Sequence, residues 1–194
     1  RKYAAEYMTT EDNRVEKVDI IIPVYKPDEK FLTLIERLEH QSIQADRIIV
    51  MNTEQKYYDR LTYGTSFQKK HHDMIVRHLS KREFDHGRTR NRGVQYSDAE
   101  YFIMMTQDAI PADEYLTEKL LEQVQKENVA VAYARQLADE NSGEIEKYAR
   151  KFNYPEQSEV KTRADLERLG LKTFFCSNVC AAYDRKIFDE LGGF

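Results

Sequence analysis

Cysteine is scarce in this 194-residue sequence, which has two cysteines and no tryptophan. Cys176 and Cys180 lie four positions apart, with no His or Cys cluster beside them. This spacing predicts neither a structural zinc site nor a disulfide framework. Both thiols are therefore expected to be free and buried.

Long apolar runs are also missing. No window approaches 18 uncharged apolar residues, and residues 1–13 lack the apolar centre of a signal peptide. The chain is therefore expected to be cytoplasmic, with no transmembrane segment.

Two classes of partner or motif are excluded by what the sequence lacks. The 30 basic residues do not outnumber the 34 acidic ones, so the basic excess needed to bind a nucleic-acid backbone is absent, and nucleic acid is excluded as a partner. The sequence contains no Gly-x-Gly-x-x-Gly and no Walker loop, which are the commonest nucleotide-binding motifs. A bound phosphate would have to be held by other groups.

Short apolar runs alternate with helical patterns along most of the chain. Val18–Tyr25 is rich in β-branched residues, as is typical of a parallel strand covered on both faces. Asp28 is placed to cap the helix that follows. Further strands are predicted at 47–52, 74–79, 101–105, 129–133 and 174–183, and helices at 31–38, 87–95 and 116–124. The alternation predicts an α/β fold with a doubly wound, mainly parallel sheet and helices on both faces.

The domain organisation follows from where this alternation is interrupted. Residues 139–172 are charged and loosely patterned, which predicts an insertion over one sheet face. Asp184 is expected to cap the last helix. The sequence finishes at Gly192-Gly193-Phe194 without a polar tail, so we expect a single domain, 1–194, truncated at its C-terminus.

Polar residues follow the predicted strands at several places. In an open parallel sheet, ligands bind beyond the carboxyl ends of the strands. The candidate binding residues at these positions are Pro23, Tyr25, Asn52, Thr53, Glu54, His86, Arg88, Arg90, Thr106, Gln107, Asp108, Ser177 and Asn178. Convergence of polar groups from separate segments at one edge is what a nucleoside-diphosphate site requires.

Asp108 and the basic group around Arg88 each allow two interpretations. A carboxylate at a strand tip can hold a divalent metal that takes its other ligands from phosphate oxygens, or it can cap a helix starting near Ala112. Arg88 and Arg90 surround a predicted helix N-terminus, where they could bind a diphosphate or form a solvated basic face. Asn91 is expected to face the sheet and to form internal hydrogen bonds.

Several segments together resemble family 2 glycosyltransferases, closest to bacterial rhamnosyltransferases. The resemblance is carried by Ile20–Tyr25, His86–Asn91, Thr106–Ala109, and the stretch from Ser177-Asn178 through Ala182-Tyr183 to Gly192-Gly193-Phe194. It implies a GT-A fold, a nucleoside-diphosphate sugar donor, a divalent metal (Mn²⁺ or Mg²⁺) and inversion at the anomeric carbon. The implied donor is an activated deoxysugar such as dTDP-rhamnose. The implied acceptor is a cell-surface saccharide or a lipid-linked acceptor at the inner membrane face, with peripheral membrane association of the full-length protein.

The resemblance also assigns roles by position. Pro23, Tyr25 and residues 52–54 would line the nucleoside pocket, and Ser177 and Asn178 would lie on the acceptor side. Asp108 would be the metal-binding last acid of the Asp-x-Asp motif, whose first acid is replaced here by Thr106. The general base would follow the Gly-Gly-Phe segment, beyond Phe194, so a chain ending there is expected to bind donor and to transfer sugar negligibly.

Two other functions are compatible with the pattern. A nucleotidyltransferase is also α/β and metal-dependent, but it would carry a glycine-rich basic loop after its first strand, where this sequence has Lys26-Pro27-Asp28. A non-catalytic carbohydrate- or partner-binding module would present exposed aromatic residues, and 13 tyrosines neither support nor exclude one.

Overall fold

The computed structural model describes residues 16–71, 73–138 and 141–194. In these ranges one sheet runs in the order β3-β2-β1-β4-β6-β5. Its strands are β1 Val18–Tyr25, β2 Arg47–Thr53, β3 Ile75–Leu79, β4 Tyr101–Met105, β5 Val131–Tyr133 and β6 Cys180–Asp184. β1 pairs in parallel with β2 and β4, and β2 pairs in parallel with β3, whereas β6 runs antiparallel between β4 and β5. The predicted mainly parallel sheet is confirmed.

The second half of the sheet departs from a simple alternation. β5 is shorter than predicted and lies at the edge, because β6 is inserted between it and β4. The predicted strand at 174–183 begins only at Cys180, since the preceding residues form a 3₁₀ turn and a loop. Cys180 is buried as expected, but Cys176 is exposed, so the prediction of two buried thiols is wrong for Cys176; both are free.

The helices carry the caps that the sequence indicates. They are α1 Glu29–Glu39, α2 Gln55–Thr62, α3 Phe67–Lys70, α4 His86–Val94, α5 Leu116–Val124, α6 Glu144–Asn153, α7 Leu166–Leu169 and α8 Arg185–Glu190, with 3₁₀ turns at Arg163–Asp165 and Gly170–Phe174. Asp28 accepts a hydrogen bond from the Lys30 amide, and Asp184 accepts one from the Ile187 amide. Each carboxylate therefore satisfies an otherwise unpaired amide at the start of its helix.

The core has two layers because β1 alternates its side chains between the two faces of the sheet. Ile20 and Ile22 pack in a cluster with residues of α1 and α5, while Ile21 packs in a second cluster with Val94 of α4 and Phe188 of α8. All three isoleucines are fully buried. This arrangement explains why the run is continuously apolar rather than alternating with polar residues.

The carboxyl ends of the parallel strands meet the beginning of β6 at one edge. The Glu54 amide after β2 donates to the Leu79 carbonyl of β3 over 2.7 Å, and the Thr106 amide after β4 donates to the Val179 carbonyl over 3.0 Å. The antiparallel β6 thus brings the segment before it to the same edge as the ends of the parallel strands. Of the helices in the described ranges, none combines the length and apolar character that crossing a bilayer would need.

Gly93 is the point where α4 approaches the sheet most tightly. A Cβ atom at this position would lie 2.6 Å from Cγ2 of Ile21 and 3.1 Å from Cγ of Met51. Both neighbours are fully buried, so neither can move without disturbing the core.

We therefore predict that Gly93→Ala lowers the free energy of unfolding by about 1–3 kcal/mol, the usual cost of overpacking. Urea denaturation provides the measurement. The matched control is Gly143→Ala, where nothing lies within 4 Å of the added methyl group and φ is negative. An effect of Gly93→Ala no larger than that of the control would contradict the tight approach.

Candidate functional site

A cleft of about 700 Å³ opens at the edge where β4 ends and β6 begins. Its walls come from α4, the tip of β4, residues 175–179 before β6, and α6 with the neighbouring Gln136. This volume lies in the range typical of small-molecule sites. The cleft contains Arg90, Thr106, Ser177 and Asn178, so the structure brings these four predicted residues together.

Asp108 is exposed in the turn that follows β4. Within the described part of the chain, no hydrogen bond or ion pair engages its carboxylate. The alternative interpretation, a helix cap near Ala112, is wrong because α5 begins only at Leu116, and the carboxylate that bonds an amide there is that of Asp113. Asp108 is thus free to bind a ligand; it does not line the cleft itself but lies two residues beyond Thr106, which does.

Gln107 joins the tips of β1 and β4. Its Oε1 atom accepts a hydrogen bond from the Tyr25 amide over 2.8 Å, and its Nε2 atom donates to the Tyr25 carbonyl over 3.1 Å. Both ends of the Gln107 amide are therefore engaged inside the protein. The side chain supports the site by holding the backbone of Tyr25.

Two tyrosine rings meet at the end of β1. Tyr25 is half-exposed, and its ring meets that of Tyr57 edge to face with the centroids 5.8 Å apart. The Lys26 ammonium lies 5.2 Å and 5.3 Å from these two centroids, within the range of cation–π attraction. Pro23, two residues before Tyr25 on the same strand, is partly buried. A second cavity of about 380 Å³ adjoins Lys26 and Tyr57.

Tyr57 was not among the predicted site residues. The stretch 53–70 is polar and tyrosine-rich, a pattern that predicts a loop with at most one helix, and it forms α2 and the short α3. The tyrosine repeats around Tyr57 and Tyr58 gave a signal: in a helix, adjacent residues point about 100° apart, so one of two neighbouring tyrosines can be buried while the other faces a site. Tyr58 is buried and Tyr57 is partly exposed.

Asn52, Thr53 and Glu54 differ in how far they reach the surface. Asn52 and Thr53 are buried at the end of β2, and Asn52 Nδ2 lies 2.9 Å from His78 Nδ1. Glu54 has a left-handed backbone, with φ 63°, and forms an ion pair with Lys56 over 3.0 Å. The hydrogen bond from Lys56 lowers the pKa of Glu54. Glu54 is thus the partly exposed member of the three.

The N-terminus of α4 is already capped by protein. One oxygen of Asp85 accepts from the amides of Gly87 and Arg88, over 3.1 and 2.8 Å, and the bond from Arg88 holds the pKa of Asp85 below its usual value. His86 and Arg88 have exposed side chains. An anion at this end of the helix would therefore meet side chains more readily than free amides.

Arg90 is the basic residue that lines the cleft. It is partly buried, and burial lowers the pKa of its guanidinium. One nitrogen donates to the His86 carbonyl over 2.8 Å, while Nε is buried without a hydrogen-bond partner. Among the described residues, no carboxylate lies within ion-pair distance of it. A partly desolvated cation without a counter-charge favours binding of an anion.

A polar network holds Ser177 and Asn178 at the wall of the cleft. Gln136 donates to Ser177 Oγ over 2.8 Å and to the Tyr154 hydroxyl just after α6, and it accepts from Arg150 of α6. The Tyr183 hydroxyl donates to Asn178 Oδ1, and burial raises the pKa of that hydroxyl. Gln136 follows β5, so the strand-tip rule would have identified it, whereas its contact with α6 depends on the tertiary fold.

The Gly-Gly-Phe segment returns to the site beside α4. The Asn91 side chain donates to the Phe194 carbonyl over 3.0 Å and accepts from the Phe194 amide over 2.9 Å. Asn91 is an internal hydrogen-bonding residue as expected, but the expectation that it faces the sheet is wrong. The buried residues of α4 are Thr89, Gly93 and Val94.

The residues at Asp108 fit a metal of a particular kind. Across the described ranges, no group of three or more His, Cys, Asp and Glu side chains is arranged to hold a metal ion. A single free carboxylate suits Mg²⁺ or Mn²⁺ when the remaining ligands are water and phosphate oxygens. The donor set therefore fits a metal that binds together with a diphosphate, and not one enclosed by protein ligands.

Comparisons with known proteins match this chain to one family. A family model described as "Glycosyl transferase family 2" matches residues 19–192. The O-antigen chain rhamnosyltransferase RfbN of Salmonella typhimurium is 35% identical over 179 residues, covering 92% of this chain and 55% of the relative. WbaN of Salmonella anatum, another O-antigen chain rhamnosyltransferase, is 38% identical over 117 residues, covering 60% of this chain and 37% of the relative. The chain therefore spans about half the length of RfbN and less than half the length of WbaN.

Solved structures share its fold at low sequence identity. The mannosyltransferase PcManGT from Pyrobaculum calidifontis, solved with GDP-Man and Mn²⁺, has a TM-score of 0.58 at 14% identity, covering 92% of this chain and 47% of that one. TarS 1–349 of S. aureus, solved with UDP-GlcNAc, has a TM-score of 0.57 at 15% identity, covering 90% and 47%. At these identities the likeness shows the fold alone, and the predicted GT-A fold is confirmed.

The double hydrogen bond of Gln107 leads to a prediction about stability. Gln107→Ala should lower the free energy of unfolding by about 1–2 kcal/mol, because two backbone groups of Tyr25 lose their partners. Urea denaturation measures the change, with Gln95→Ala, at an exposed position, as the matched control. An unfolding midpoint equal to that of the control would show that the Gln107 amide does not hold the tip of β1.

Proposed function

Because the chain belongs to glycosyl transferase family 2, we propose that it binds a nucleoside-diphosphate sugar and serves an inverting transfer of that sugar to an acceptor hydroxyl. The observation that carries this proposal is that, among the described residues, two charged side chains near the end of β4 lack a charged partner: the Asp108 carboxylate, two residues beyond Thr106, and the Arg90 guanidinium, which lines the cleft with Thr106. A metal-bound diphosphate would satisfy both. The family membership favours this function over a nucleotidyltransferase or a non-catalytic binding module.

The names of the relatives support a narrower substrate class. RfbN and WbaN are O-antigen chain rhamnosyltransferases. We therefore propose rhamnose or a related deoxysugar as the transferred group, with dTDP-rhamnose as the first donor to test. The proposed acceptor is a growing cell-surface polysaccharide, carried on a lipid at the inner face of the cell membrane, which would place the protein in the cytoplasm with peripheral membrane association.

The nucleoside would lie against the Tyr25 and Tyr57 rings, with Pro23 and Glu54 beside it. Aromatic faces provide apolar contact for a base, and the partly exposed Glu54 carboxylate can accept hydrogen bonds from ribose hydroxyls. Gln107 would act on the nucleoside only through the position of Tyr25. Asn52 and Thr53 are buried at the end of β2, so they would support the nucleoside pocket from below without contacting the ligand.

The diphosphate would lie between Asp108 and the basic residues of α4. A divalent metal bound there would neutralise charge on the leaving diphosphate. Arg90 lines the cleft, and its terminal guanidinium nitrogens can bond phosphate oxygens. The exposed Arg88 and His86 could reach the same group from the rim. Stabilising the departing charge is the main electrostatic task of a displacement with an oxocarbenium-like transition state.

The acceptor would enter over Ser177 and Asn178. Gln136 and Tyr183 hold these two side chains in place, so their remaining hydrogen-bonding capacity is directed into the cleft. Of the described residues that line the cleft, Glu146 is the one with a carboxylate, and it forms an ion pair with Arg150 over 3.4 Å. We propose that the general base follows Phe194, which lies at this edge of the site beside Gly87 and Asn91.

Replacement of Asp108 tests the metal assignment. Asp108→Asn should abolish the Mn²⁺-dependent part of donor binding, because an amide does not neutralise a divalent cation. The free energy of unfolding should change by less than about 0.5 kcal/mol, since the side chain is exposed and unpartnered. Binding is measured by calorimetry, and by thermal shift with dTDP-, UDP- and GDP-sugars, each with and without Mn²⁺.

Asp113→Asn is the matched control, because it changes a carboxylate in the same loop that only caps Tyr115. Equal Mn²⁺-dependent binding by the two variants would remove Asp108 from the site. Failure of every nucleotide sugar in the panel to bind the parent chain would remove the proposed function itself.

The two arginines of α4 are expected to differ in their effect. Arg90→Lys should weaken nucleotide binding by about tenfold, because an ammonium cannot reproduce the guanidinium fork. Arg88→Lys should weaken it less, since Arg88 is exposed, and Arg92→Lys should leave it unchanged as the control on the same helix. Calorimetric titration with the nucleoside diphosphate gives the three affinities, and unchanged binding by Arg90→Lys would show that this residue does not contact the diphosphate.

A further inference from the structure

Helix α6 exposes an apolar stripe to solvent. Ile145 is 88% exposed, Tyr148 71% and Phe152 56%, and none of the residues of the helix is buried. Spacings of three and four residues place these side chains on one face of a helix. In a globular protein such a stripe normally packs against the core, so this one is available for a partner.

The stripe continues beyond the helix. Leu171 and Phe174, in the 3₁₀ turn after α7, are 88% and 68% exposed. The ammonium of Lys172 lies 3.4 Å from the centroid of the Phe152 ring, which brings the turn and the helix side by side. Five large apolar side chains thus share one region of the surface, and contiguous patches of this kind mark interaction sites. We call Ile145, Tyr148, Phe152, Leu171 and Phe174 the α6 patch.

The charges at the α6 patch favour a lipid partner over a protein partner. In the described chain, neither Lys151 nor Lys172 has a carboxylate within salt-bridge distance. Unpaired lysines beside aromatic and aliphatic side chains are typical of segments that lie in the interface of an anionic bilayer. Lysine is instead depleted in protein–protein interfaces, which argues against a second copy of the chain as the occupant.

The position of the α6 patch relative to the cleft gives it a function. Glu146, Ala149 and Asn153 line the cleft, and each follows a residue of the patch by one position. One residue corresponds to a rotation of about 100° around a helix, so the two faces are neighbours and do not overlap. A bilayer that covers the patch would leave the cleft open next to the membrane surface.

We propose that the α6 patch docks the protein on an anionic lipid bilayer, with the stripe in the interface and Lys151 and Lys172 on the lipid phosphates. The proposal rests on the proposed function only for its purpose, which is to present the cleft to a lipid-carried acceptor. The docking itself is a property of the surface of α6 and the 3₁₀ turn. It can be measured without a donor, an acceptor or turnover.

The test is co-sedimentation of the 194-residue chain with vesicles of phosphatidylcholine mixed with phosphatidylglycerol, and with vesicles of phosphatidylcholine alone. The parent chain should bind the anionic vesicles, and bind them less as salt is added. The double variant Tyr148→Ser with Phe152→Ser should lower the partition coefficient at least about tenfold, since two apolar side chains no longer enter the interface. Lys151→Glu with Lys172→Glu should abolish the preference for anionic lipid.

Tyr63→Ser is the matched control, because Tyr63 is 85% exposed but lies at the end of α2, away from the α6 patch. Circular dichroism and Mn²⁺-dependent donor binding should be unchanged in all variants, so failure of docking and failure of the proposed function give different results. The proposal is overturned if the parent chain does not bind anionic vesicles, if it binds neutral vesicles equally well, or if the patch variants bind as Tyr63→Ser does. Concentration-dependent self-association that the serine variants abolish would likewise overturn it in favour of a dimer.

Discussion

The site depends on how the ends of strands β1 and β4 are held together, and the side-chain amide of Gln107 joins them. β1 is the central strand of the parallel part of the sheet, with β2 on one side and β4 on the other. When both backbone groups of Tyr25 are bonded to Gln107, the aromatic side of the site stays at a fixed position relative to the Asp108 turn. Thr106, just before this turn, is bonded to Val179, just before β6, so one short segment after β4 is joined both to the end of β1 and to the loop that enters β6.

Two charged side chains at this edge lack a charged partner among the described residues. Most surface carboxylates here have partners, such as Asp85 on the α4 amides and Glu54 on Lys56. In the described ranges, Asp108 has no side-chain partner and Arg90 has no carboxylate partner, and Arg90 is also partly removed from water. A charge without a partner lowers stability more the more deeply it is buried. A partly buried charge of this kind in a cleft therefore indicates a ligand-binding role more strongly than an exposed charge does. For this reason we propose Arg90, more than the exposed Arg88, as the residue that binds the diphosphate.

Helix α6 connects the cleft with the outer surface. Its inner side reaches the sheet through Arg150, Gln136 and Ser177, which join three separate segments of the chain. Its adjoining side is apolar and exposed. Tyr154, at the end of this helix, is buried and packs edge to face against Tyr133 and Phe175. The insertion thus has its own small aromatic centre apart from the two layers around β1.

By itself, the sequence determined the strands from β1 to β4, the caps at Asp28 and Asp184, and the candidate residues that follow each strand, because apolar periodicity and helix capping are local properties. The strand-tip rule pointed to Asp108, and the predicted N-terminus of α4 pointed to Arg90. Tyr57 was missed because the pattern does not show which face of α2 meets the site. Gln136 was missed although it follows β5, because its contact with α6 depends on the tertiary fold. The antiparallel position of β6, the Gln107 contact with Tyr25 and the exposure of Cys176 were decided only by the tertiary structure. The position of β6 and the Gln107 contact join residues far apart in the chain, and the exposure of Cys176 depends on how the loop before β6 packs. The free energy of such contacts depends on how the whole sheet is assembled and not on the composition of any one segment.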